Sequence, residues 1–238
     1  MRDASPGAPA GAGARTIVVA GKTMIADISG TLYWPAERTL VVADLHLEKG
    51  SSFAAKGQLL PPYDTRETLT RLAAVMDEHD PDRVVALGDS FHDGGAAQRM
   101  DPMDREVLAI LQEDREWVWV TGNHDPAIPA TLGGVARDCA VIGGLRFTHV
   151  PHAGPVTHEI AGHLHPVAKL TGRGHSVRRP CFVGNGRRLV MPAFGAFTGG
   201  LNVLDDAFAP LFGADAMRVW MLGFDGVHPV SPRQLSAD

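Results

Sequence analysis

The sequence predicts an α/β protein, with a parallel sheet in its first half and a second, antiparallel or mixed sheet in its second half. Up to about residue 136, apolar runs alternate with two amphipathic segments, an order typical of parallel strands joined by helices. Beyond that point, closely spaced strands follow one another with glycine turns and no intervening helix. With 238 residues, 45% of them hydrophobic, we expect one domain over residues 15–238.

The first elements are a tail and short β-type runs. Residues 1–14 are rich in Ala, Gly and Pro and lack large apolar groups, so we expect a flexible tail. Runs typical of strands follow at 16–19, 23–28 and 31–34. The run over 39–44 is continuously apolar until its last residue, which indicates a strand buried on both faces.

Two helices separate the next strands. One is predicted over 64–80, because apolar residues recur there at intervals of three and four and Asp64 can cap the N-terminus. The other is predicted over 103–114. Apolar strands that end in polar residues occupy 82–89 and 117–125. The first half therefore has the order β-α-β-α-β, which favours a parallel sheet.

The second half is predicted to be strand-rich. The glycine-rich segment 193–200 can either line a cleft or simply turn the chain. Strands are expected at 139–144, 145–150, 158–163, 166–172, 181–184 and 188–193.

Composition excludes several classes of protein. A formal net charge of −5 argues against a protein that coats nucleic acid by bulk attraction. No apolar run is long enough to span a membrane, and the first residues lack the apolar segment of a secretory signal. Cys139 and Cys181 form no disulfide framework or metal-type spacing. We therefore expect a cytoplasmic protein without a membrane partner.

Polar side chains capable of binding metal follow each predicted strand of the parallel sheet. They are expected to converge, because the carboxyl ends of parallel strands meet at one edge. Extended backbone would also place residues two apart, such as Asp44 and His46, on one face. The successive groups are Asp44 and His46; Asp89, His92 and Asp93; Asn123, His124 and Asp125; and, in the second half, His149, then His163 and His165.

This set is rich in oxygen and imidazole donors and contains no thiolate. Such donors suit Mn²⁺, Fe or Zn²⁺. Seven candidates exceed the needs of one ion and would fill two sites if one carboxylate bridges, an arrangement used to hydrolyse phosphate esters with a metal-activated water. The seven are Asp44, His46, Asp89, Asn123, His149, His163 and His165.

The motifs occur in the order Asp-x-His, Gly-Asp-x-x-His, Gly-Asn-His-Asp, a lone His and Gly-His-x-His. This series resembles the signature of the calcineurin-like metallophosphoesterases. The resemblance implies a two-sheet sandwich flanked by helices, with a dinuclear metal centre. Val150 follows the lone His where the family usually has Gly, so His152 is an alternative to His149. The implied ligands are Asp44, His46, Asp89 and His165 for one metal, and Asp89, Asn123, His149 and His163 for the other, with Asp89 as the bridge.

Two longer segments narrow the resemblance. Residues 33–69 and 189–203 are similar to the ligase-associated DNA damage response endonucleases, and Gly-Asp-Ser-Phe-His-Asp resembles a block of double-strand-break repair nucleases. The Gly-Asp-x-Val-Asp-Arg-Gly pattern of serine/threonine phosphatases is absent, which disfavours protein phosphatase activity. The resemblance implies a Mn²⁺-dependent endonuclease that cuts DNA in repair, with a DNA ligase or helicase as partner.

Further roles follow from position. His124 is adjacent to a candidate ligand and is expected to stabilise the transition state and protonate the leaving oxygen, oriented by His92 or Asp93. Glu48 and Lys49 either contact a histidine of the site or a phosphate, or form an exposed charge pair.

A basic segment is a candidate for substrate binding. Between Ile160 and Leu204 the sequence contains no Asp or Glu, so its basic residues could neutralise a nucleic-acid backbone, or could instead lie on a solvated hairpin. The basic residues are Lys169, Arg173, Arg178, Arg179, Arg187 and Arg188.

Two other functions are compatible with the sequence. The same metal centre could hydrolyse small nucleotide esters, which a comparison of DNA with a small diester would distinguish. A degenerate member of the same fold could serve as an inactive interaction scaffold, although His124 and all seven candidate ligands are present.

Overall fold

The computed structural model describes residues 13–156, 158–172, 174–212 and 217–238. Residues 1–12 of the predicted tail lie outside these ranges. The carbonyl of Gly13 accepts a hydrogen bond from Val227, and Ala14 packs against the core. Gly13 and Ala14, the last two residues of the predicted tail, therefore contact the folded chain.

The first sheet consists, in the described part of the chain, of β1 (Arg15–Val19), β2 (Lys22–Ala26), β3 (Leu32–Trp34), β4 (Thr39–Val42), β5 (Arg83–Leu87), β6 (Glu116–Val120) and β7 (Val135–Arg137). Strands β1 to β4 pair antiparallel, and β4 to β7 pair in parallel. The parallel sheet predicted from the β-α-β-α-β order is confirmed, and all four residues of β4 are buried.

The described helices are α1 (Lys49–Ala55), α2 (Asp64–His79), α3 (Ala96–Arg99), α4 (Pro102–Gln112) and α5 (Ala209–Phe212). Tyr63, not Asp64, is the N-cap of α2, and the carboxylate of Asp64 accepts the backbone N–H of Gly50 at 3.1 Å instead. Searching the described residues for a helix with the length and apolarity to cross a bilayer finds none.

The second sheet is mixed, as predicted. Strand β10 lies between β9 and β13 and is parallel to both, whereas β12 pairs antiparallel with β11, β13 and β15. Its strands in the described chain are β8 (Cys139–Ile142), β9 (Leu145–Thr148), β10 (Glu159–Ala161), β11 (Pro166–Gly172), β12 (His175–Gly184), β13 (Arg188–Val190), β14 (Leu201–Asn202), β15 (Arg218–Leu222) and β16 (Val227–Val230).

The layers are explained by the alternation of side chains along the strands. In β4, Leu40 and Val42 belong to the core shared with α2 and α4, whereas Val41 packs in the core between the two sheets. The far face of the second sheet buries Phe208 and Phe212 beside and within α5. The fold is therefore an α/β sandwich with helices on the outer face of the first sheet.

The two sheets bring several strand ends to one edge. Thr148, Ala161 and Val190, the last residues of β9, β10 and β13, are in register with one another. The chain after β13 reaches the first sheet, where Phe194 donates its backbone N–H to Ala43 at 2.9 Å. The loops that follow β4, β5, β6, β9 and β10 therefore meet, and these loops carry the candidate ligands.

Candidate active site

Two groups of candidate ligands converge at this edge. In the first group, Nε2 of His165 lies 3.4 Å from both Oδ1 of Asp44 and Nε2 of His46. In the second, Nε2 of His149 lies 3.3 Å from Oδ2 of Asp89 and 3.1 Å from Nδ1 of His163. Within each group the candidate ligand atoms lie within 4.8 Å of one another. Each group thus supplies one carboxylate and two imidazoles, a donor set that suits a divalent ion.

Asp89 acts electrostatically on both groups. Its negative charge contributes to raising the pKa of His149 and of His165, which belong to different groups. Burial alone would raise the pKa of Asp89, but hydrogen bonds from His149 and from the backbone N–H of His124 hold it well below its usual range. Asp89 is therefore an anion that contacts the second group and acts on the first through its charge.

Asn123 completes the set of candidates. It lines the same cavity as the imidazoles, although its side chain is exposed. A cavity of about 450 Å³ is bordered by His46, Lys49, Asp89, His92, Asn123, His124, His163, Leu164, His165, Gly199, Gly200 and Leu201.

The backbone at the candidate ligands is not extended. The expectation that Asp44 and His46 share a face through extended backbone is wrong, because their φ angles are 54° and 45°, in the left-handed region. Asp89, His163 and His165 also have positive φ, at 45°, 73° and 45°. Non-glycine residues are held there only where surrounding contacts require it, most often at functional sites. Left-handed turns, not strand alternation, aim these side chains inward.

Glycines in the motifs permit close approach between the loops. A Cβ on Gly88, whose φ is +73°, would lie 2.5 Å from the ring of His149. A Cβ on Gly122 would lie 2.2 Å from the backbone nitrogen of Asp89. Neither position can therefore carry a side chain without moving a candidate ligand.

Backbone carbonyls orient two of the imidazoles. Nδ1–H of His149 donates to the carbonyl of Leu87 at 2.9 Å, and Nδ1–H of His165 donates to that of Gly199 at 3.2 Å. In both rings this leaves Nε2 directed at the carboxylates, as in histidines that bind metal. Gly199 belongs to the glycine-rich segment, which therefore lines the cleft.

The surroundings of His46 favour its neutral form. Burial, together with the neighbouring His165, lowers its pKa to about 3. A neutral imidazole keeps the lone pair that a metal ion accepts.

His124 lies beside the two groups with its ring held at one nitrogen. Nδ1–H donates to the backbone carbonyl of His92 at 2.8 Å, and the His92 ring stacks on it with centroids 5.2 Å apart. Nε2 of His124 lies 4.0 Å from Oδ2 of Asp89. His46, His92 and His124 also form a third group whose nitrogens lie within 4.8 Å of one another.

Asp93 does not occupy the orienting position that the sequence allowed. Both of its carboxylate oxygens accept hydrogen bonds from Arg99, at 2.8 and 2.9 Å, and one also accepts the N–H of Gly95. The contact that orients His124 comes from the backbone of His92 instead.

Sequence reasoning assigned no role to Asp125, which is buried between the loops. Oδ1 accepts the N–H groups of Asp89 and Gly122, and Oδ2 accepts those of Ser90 and Phe91, at 2.7–3.1 Å. Burial raises its pKa to about 6 despite these bonds. Asp125 thus ties the loop after β5 to the loop after β6. The sequence signal that could have identified Asp125 was its position directly after His124 in the Gly-Asn-His-Asp motif.

Glu48 and Lys49 have separate environments, so they are not an exposed pair. Glu48 is buried and accepts hydrogen bonds from Thr65 and Ser51, which join α1 to α2. Lys49 is half-buried at the cavity, where Nζ donates to the carbonyl of Phe197 at 2.8 Å. Lys49 therefore places a cation beside the candidate ligands.

The structure separates His152 from the candidate ligands. Its Nδ1 lies 2.7 Å from Oε1 of Glu159, whereas His149 lies within the second group.

The basic residues of the second half do not form one surface. Arg178 and Arg179 border a cavity beside His165, and Arg187 is exposed in the turn before β13, at the opposite end of that strand from the ligands. Arg173 lies outside the described residues. Arg188 is 1% exposed, so the prediction that it binds substrate is wrong.

Arg188 forms a buried ion pair instead. Its Nε donates to Oε2 of Glu159 at 2.7 Å, and its other nitrogens reach the carbonyls of Leu211, His152 and Gly154. The pair ties the loop after His149 to β13.

We expect Arg188→Met to lower the free energy of unfolding by about 3–5 kcal/mol, because the buried Oε2 of Glu159 would lose the arginine that pairs with it. Urea denaturation measures the change. The exposed neighbour provides a control, since Arg187→Met should shift stability by less than about 0.5 kcal/mol. Adding Glu159→Met to Arg188→Met should restore part of the loss. Equal, small effects of both arginine substitutions would contradict the assigned role of the ion pair.

Comparison with known proteins agrees with this geometry. The family model for calcineurin-like phosphoesterases matches residues 37–186, and the chain belongs to this family. It is therefore a metal-dependent phosphoesterase.

Solved structures give a more specific likeness. The crystal structure of Pseudomonas putida nuclease MPE is 29% identical and superposes with a TM-score of 0.69, over 91% of this chain and 100% of the nuclease chain. A protein of unknown function from Aquifex aeolicus, AQ665, is 17% identical with a TM-score of 0.37, over 53% of this chain and 78% of that one. No curated protein sequence matches the chain.

Proposed function

We propose that this phosphoesterase is a Mn²⁺-dependent endonuclease that hydrolyses DNA and acts in repair alongside a DNA ligase or helicase. The observation that carries the proposal is the presence of two groups of candidate ligands, each with one carboxylate and two imidazoles, beside one cavity. The likeness to nuclease MPE supports a nucleic-acid substrate. The resemblance of residues 33–69 and 189–203 to ligase-associated endonucleases supports the repair setting.

The ligand assignment follows the two groups. Oxygen and imidazole donors without thiolate suit Mn²⁺, Fe or Zn²⁺, and the choice of Mn²⁺ follows from the resemblance to the ligase-associated endonucleases. Two such ions, when bound, neutralise charge on a phosphodiester and lower the pKa of water. We assign Asp44, His46, Asp89 and His165 to one ion and Asp89, Asn123, His149 and His163 to the other.

His124 is the proposed proton donor. Its Nδ1–H is engaged by the carbonyl of His92, so Nε2 is the nitrogen that can hold a proton for the leaving oxygen. The ring is 45% exposed and borders the cavity, which gives a substrate access to it. His92 positions the ring by its carbonyl and by stacking.

Lys49 is the proposed contact for a non-bridging phosphate oxygen. We expect Lys49→Ala to lower kcat/KM on DNA by about 10- to 100-fold, the worth of a hydrogen bond to a charged group. Lys49→Arg should recover part of the loss. The control is Lys56→Ala, since Lys56 is exposed at the end of α1 and should leave kcat/KM unchanged. Loss of bound metal in Lys49→Ala would instead indicate that Lys49 supports the structure of the site, through its hydrogen bond to the carbonyl of Phe197.

One assay tests the proposed function. Purified protein is incubated with plasmid, a single-stranded oligonucleotide and bis(p-nitrophenyl) phosphate, each with Mn²⁺, Mg²⁺, Zn²⁺ or chelator. Internal cleavage of DNA that is greatest with Mn²⁺ is the expected result. Turnover of the small diester without DNA cleavage would support the small-ester alternative, and no turnover with any metal would favour the scaffold.

A further inference from the structure

An exposed aromatic ring contacts an arginine that borders a cavity beside the candidate metal centre. Phe224 follows β15 and is 90% exposed. The guanidinium carbon of Arg179, in β12, lies 4.5 Å from the centre of the Phe224 ring. This cation–π contact fixes the ring on one side, and its high exposure leaves the remaining surface to solvent.

A second cavity, bordered by Arg179, adjoins the cavity of the candidate ligands. It has a volume of about 150 Å³, and it shares His165 and Gly199 with the cavity of the candidate metal centre. Arg179 also borders this cavity. Its partner in the neighbouring strand is Ala168, three residues after His165. The cavity is bordered by His165, Pro166, Val167, Arg178, Arg179, Pro180, Ala193, Thr198 and Gly199.

The charges around this second cavity favour an anionic ligand with a flat apolar part. Arg178 is partly neutralised by Asp238, with Nε 3.1 Å from Oδ1, and its Nη2 donates to the carbonyl of Gly200. The guanidinium of Arg179 contacts the ring of Phe224. A nucleotide combines a phosphate, which arginine attracts, with a base that stacks on an aromatic ring.

We propose that Phe224 and Arg179 form a stacking site for an unpaired nucleobase of the strand being cut, beside the scissile phosphate. This inference rests on the proposed nuclease function and adds a substrate-binding site to it. The base must be unpaired and unstacked, because a base within a duplex cannot offer its whole face to a protein ring. The pair therefore favours single-stranded segments.

The test measures binding of a single-stranded oligonucleotide containing 2-aminopurine, whose fluorescence is quenched when it stacks. Measurements use the His124→Asn background with Mn²⁺, so that the strand stays intact. We expect Phe224→Ala to weaken binding by about 5- to 100-fold, as for other base-stacking aromatics, and to abolish quenching. Phe224→Trp should retain both. Arg179→Ala should weaken binding and flatten the slope of log affinity against log salt by about 0.7.

Controls separate this site from bulk charge and from the metal centre. Arg187→Ala removes an exposed arginine in the turn before β13, at the end of that strand away from the candidate ligands. This variant should leave quenching unchanged. With His124 intact, Phe224→Ala should lose more activity on a single-stranded oligonucleotide than on bis(p-nitrophenyl) phosphate, since that diester is too small to reach the stacking site.

The outcomes distinguish the inference from the function on which it rests. If the wild-type protein cuts DNA but Phe224→Ala binds single strands as tightly as wild type, the stacking site is wrong and the nuclease function stands. If Phe224→Ala weakened the binding of a blunt duplex and of a single strand equally, the stacking site would also be wrong. If the wild-type protein neither binds nor cuts oligonucleotides, the proposed nuclease function fails, and the stacking site fails with it.

Discussion

Replacing Asp89 by Asn is expected to abolish hydrolysis and to lower the metal content from two ions per chain to one or none. Oδ2 of Asp89 lies 3.3 Å from Nε2 of His149, and its charge acts on His165 in the other group. An amide is nearly isosteric but supplies no negative charge to either ion. We expect turnover to fall by more than about 10³-fold, since metal catalysis contributes several kcal/mol to the barrier.

Metal analysis and diester turnover, measured on the same preparation, check this result. The matched control is Asp93→Asn, because Asp93 is four residues away and its carboxylate is engaged by Arg99. That variant should bind both metals and retain most of its activity. Full metal occupancy and activity in Asp89→Asn would show that Asp89 does not bridge.

The elements that the sequence predicted well have local signals. Strands β4, β5 and β6 lie in apolar runs of the sequence that polar residues follow. The helical periodicity before Pro81 predicted α2 to within one residue at each end. Because the carboxyl ends of parallel strands lie at one edge of the sheet, the polar residues that follow these strands were expected to meet there.

Other elements depend on distant contacts. Strand β10 has only three residues, Glu159–Ala161, and its place between β9 and β13 is determined by its partners. Strand β15 pairs with β12 nearly forty residues earlier in the chain, and the described contacts of α5 are with the second sheet. No local pattern encodes such pairings, which explains why these elements were not predicted or not placed.

The candidate ligands came together as expected, but for a different physical reason. Strand alternation suggested that Asp44 and His46 share a face, whereas both residues adopt left-handed backbone after β4 has ended. Spacing cannot reveal such a turn in a non-glycine residue, because the surrounding loops impose it. The glycines of the motifs gave an indirect signal, since Gly88 and Gly122 permit the loops to approach.

Charge segregation was a weaker guide to the substrate site. The acid-free segment begins at Ile160, and Glu159, the residue before it, neutralises Arg188 inside the protein. Asp238, which lies after the segment in the sequence, pairs with Arg178. Counting charges along a segment therefore overestimated the basic surface, because the neutralising partners lie outside the segment counted.

His124 provides the second large expected effect. His124→Asn and His124→Ala should keep both metals but lose about 10² to 10⁴ in turnover of DNA, the range that general acid catalysis usually supplies. Its Nε2 borders the cavity, and its Nδ1–H is already engaged by the carbonyl of His92. The same ring also belongs to a group with His46 and His92 that could hold an ion, so metal analysis distinguishes the two roles.

The leaving group decides whether His124 donates a proton. A p-nitrophenolate leaves without much protonation, whereas the sugar oxygen of DNA needs a proton as the bond breaks. We therefore expect His124→Asn to reduce hydrolysis of bis(p-nitrophenyl) phosphate much less than cleavage of DNA. Hydrolysis of diesters with a graded series of leaving-group pKa values should depend more steeply on that pKa in the variant. Equal losses across the series would exclude proton donation, and a fall in metal content would assign His124 to metal binding instead.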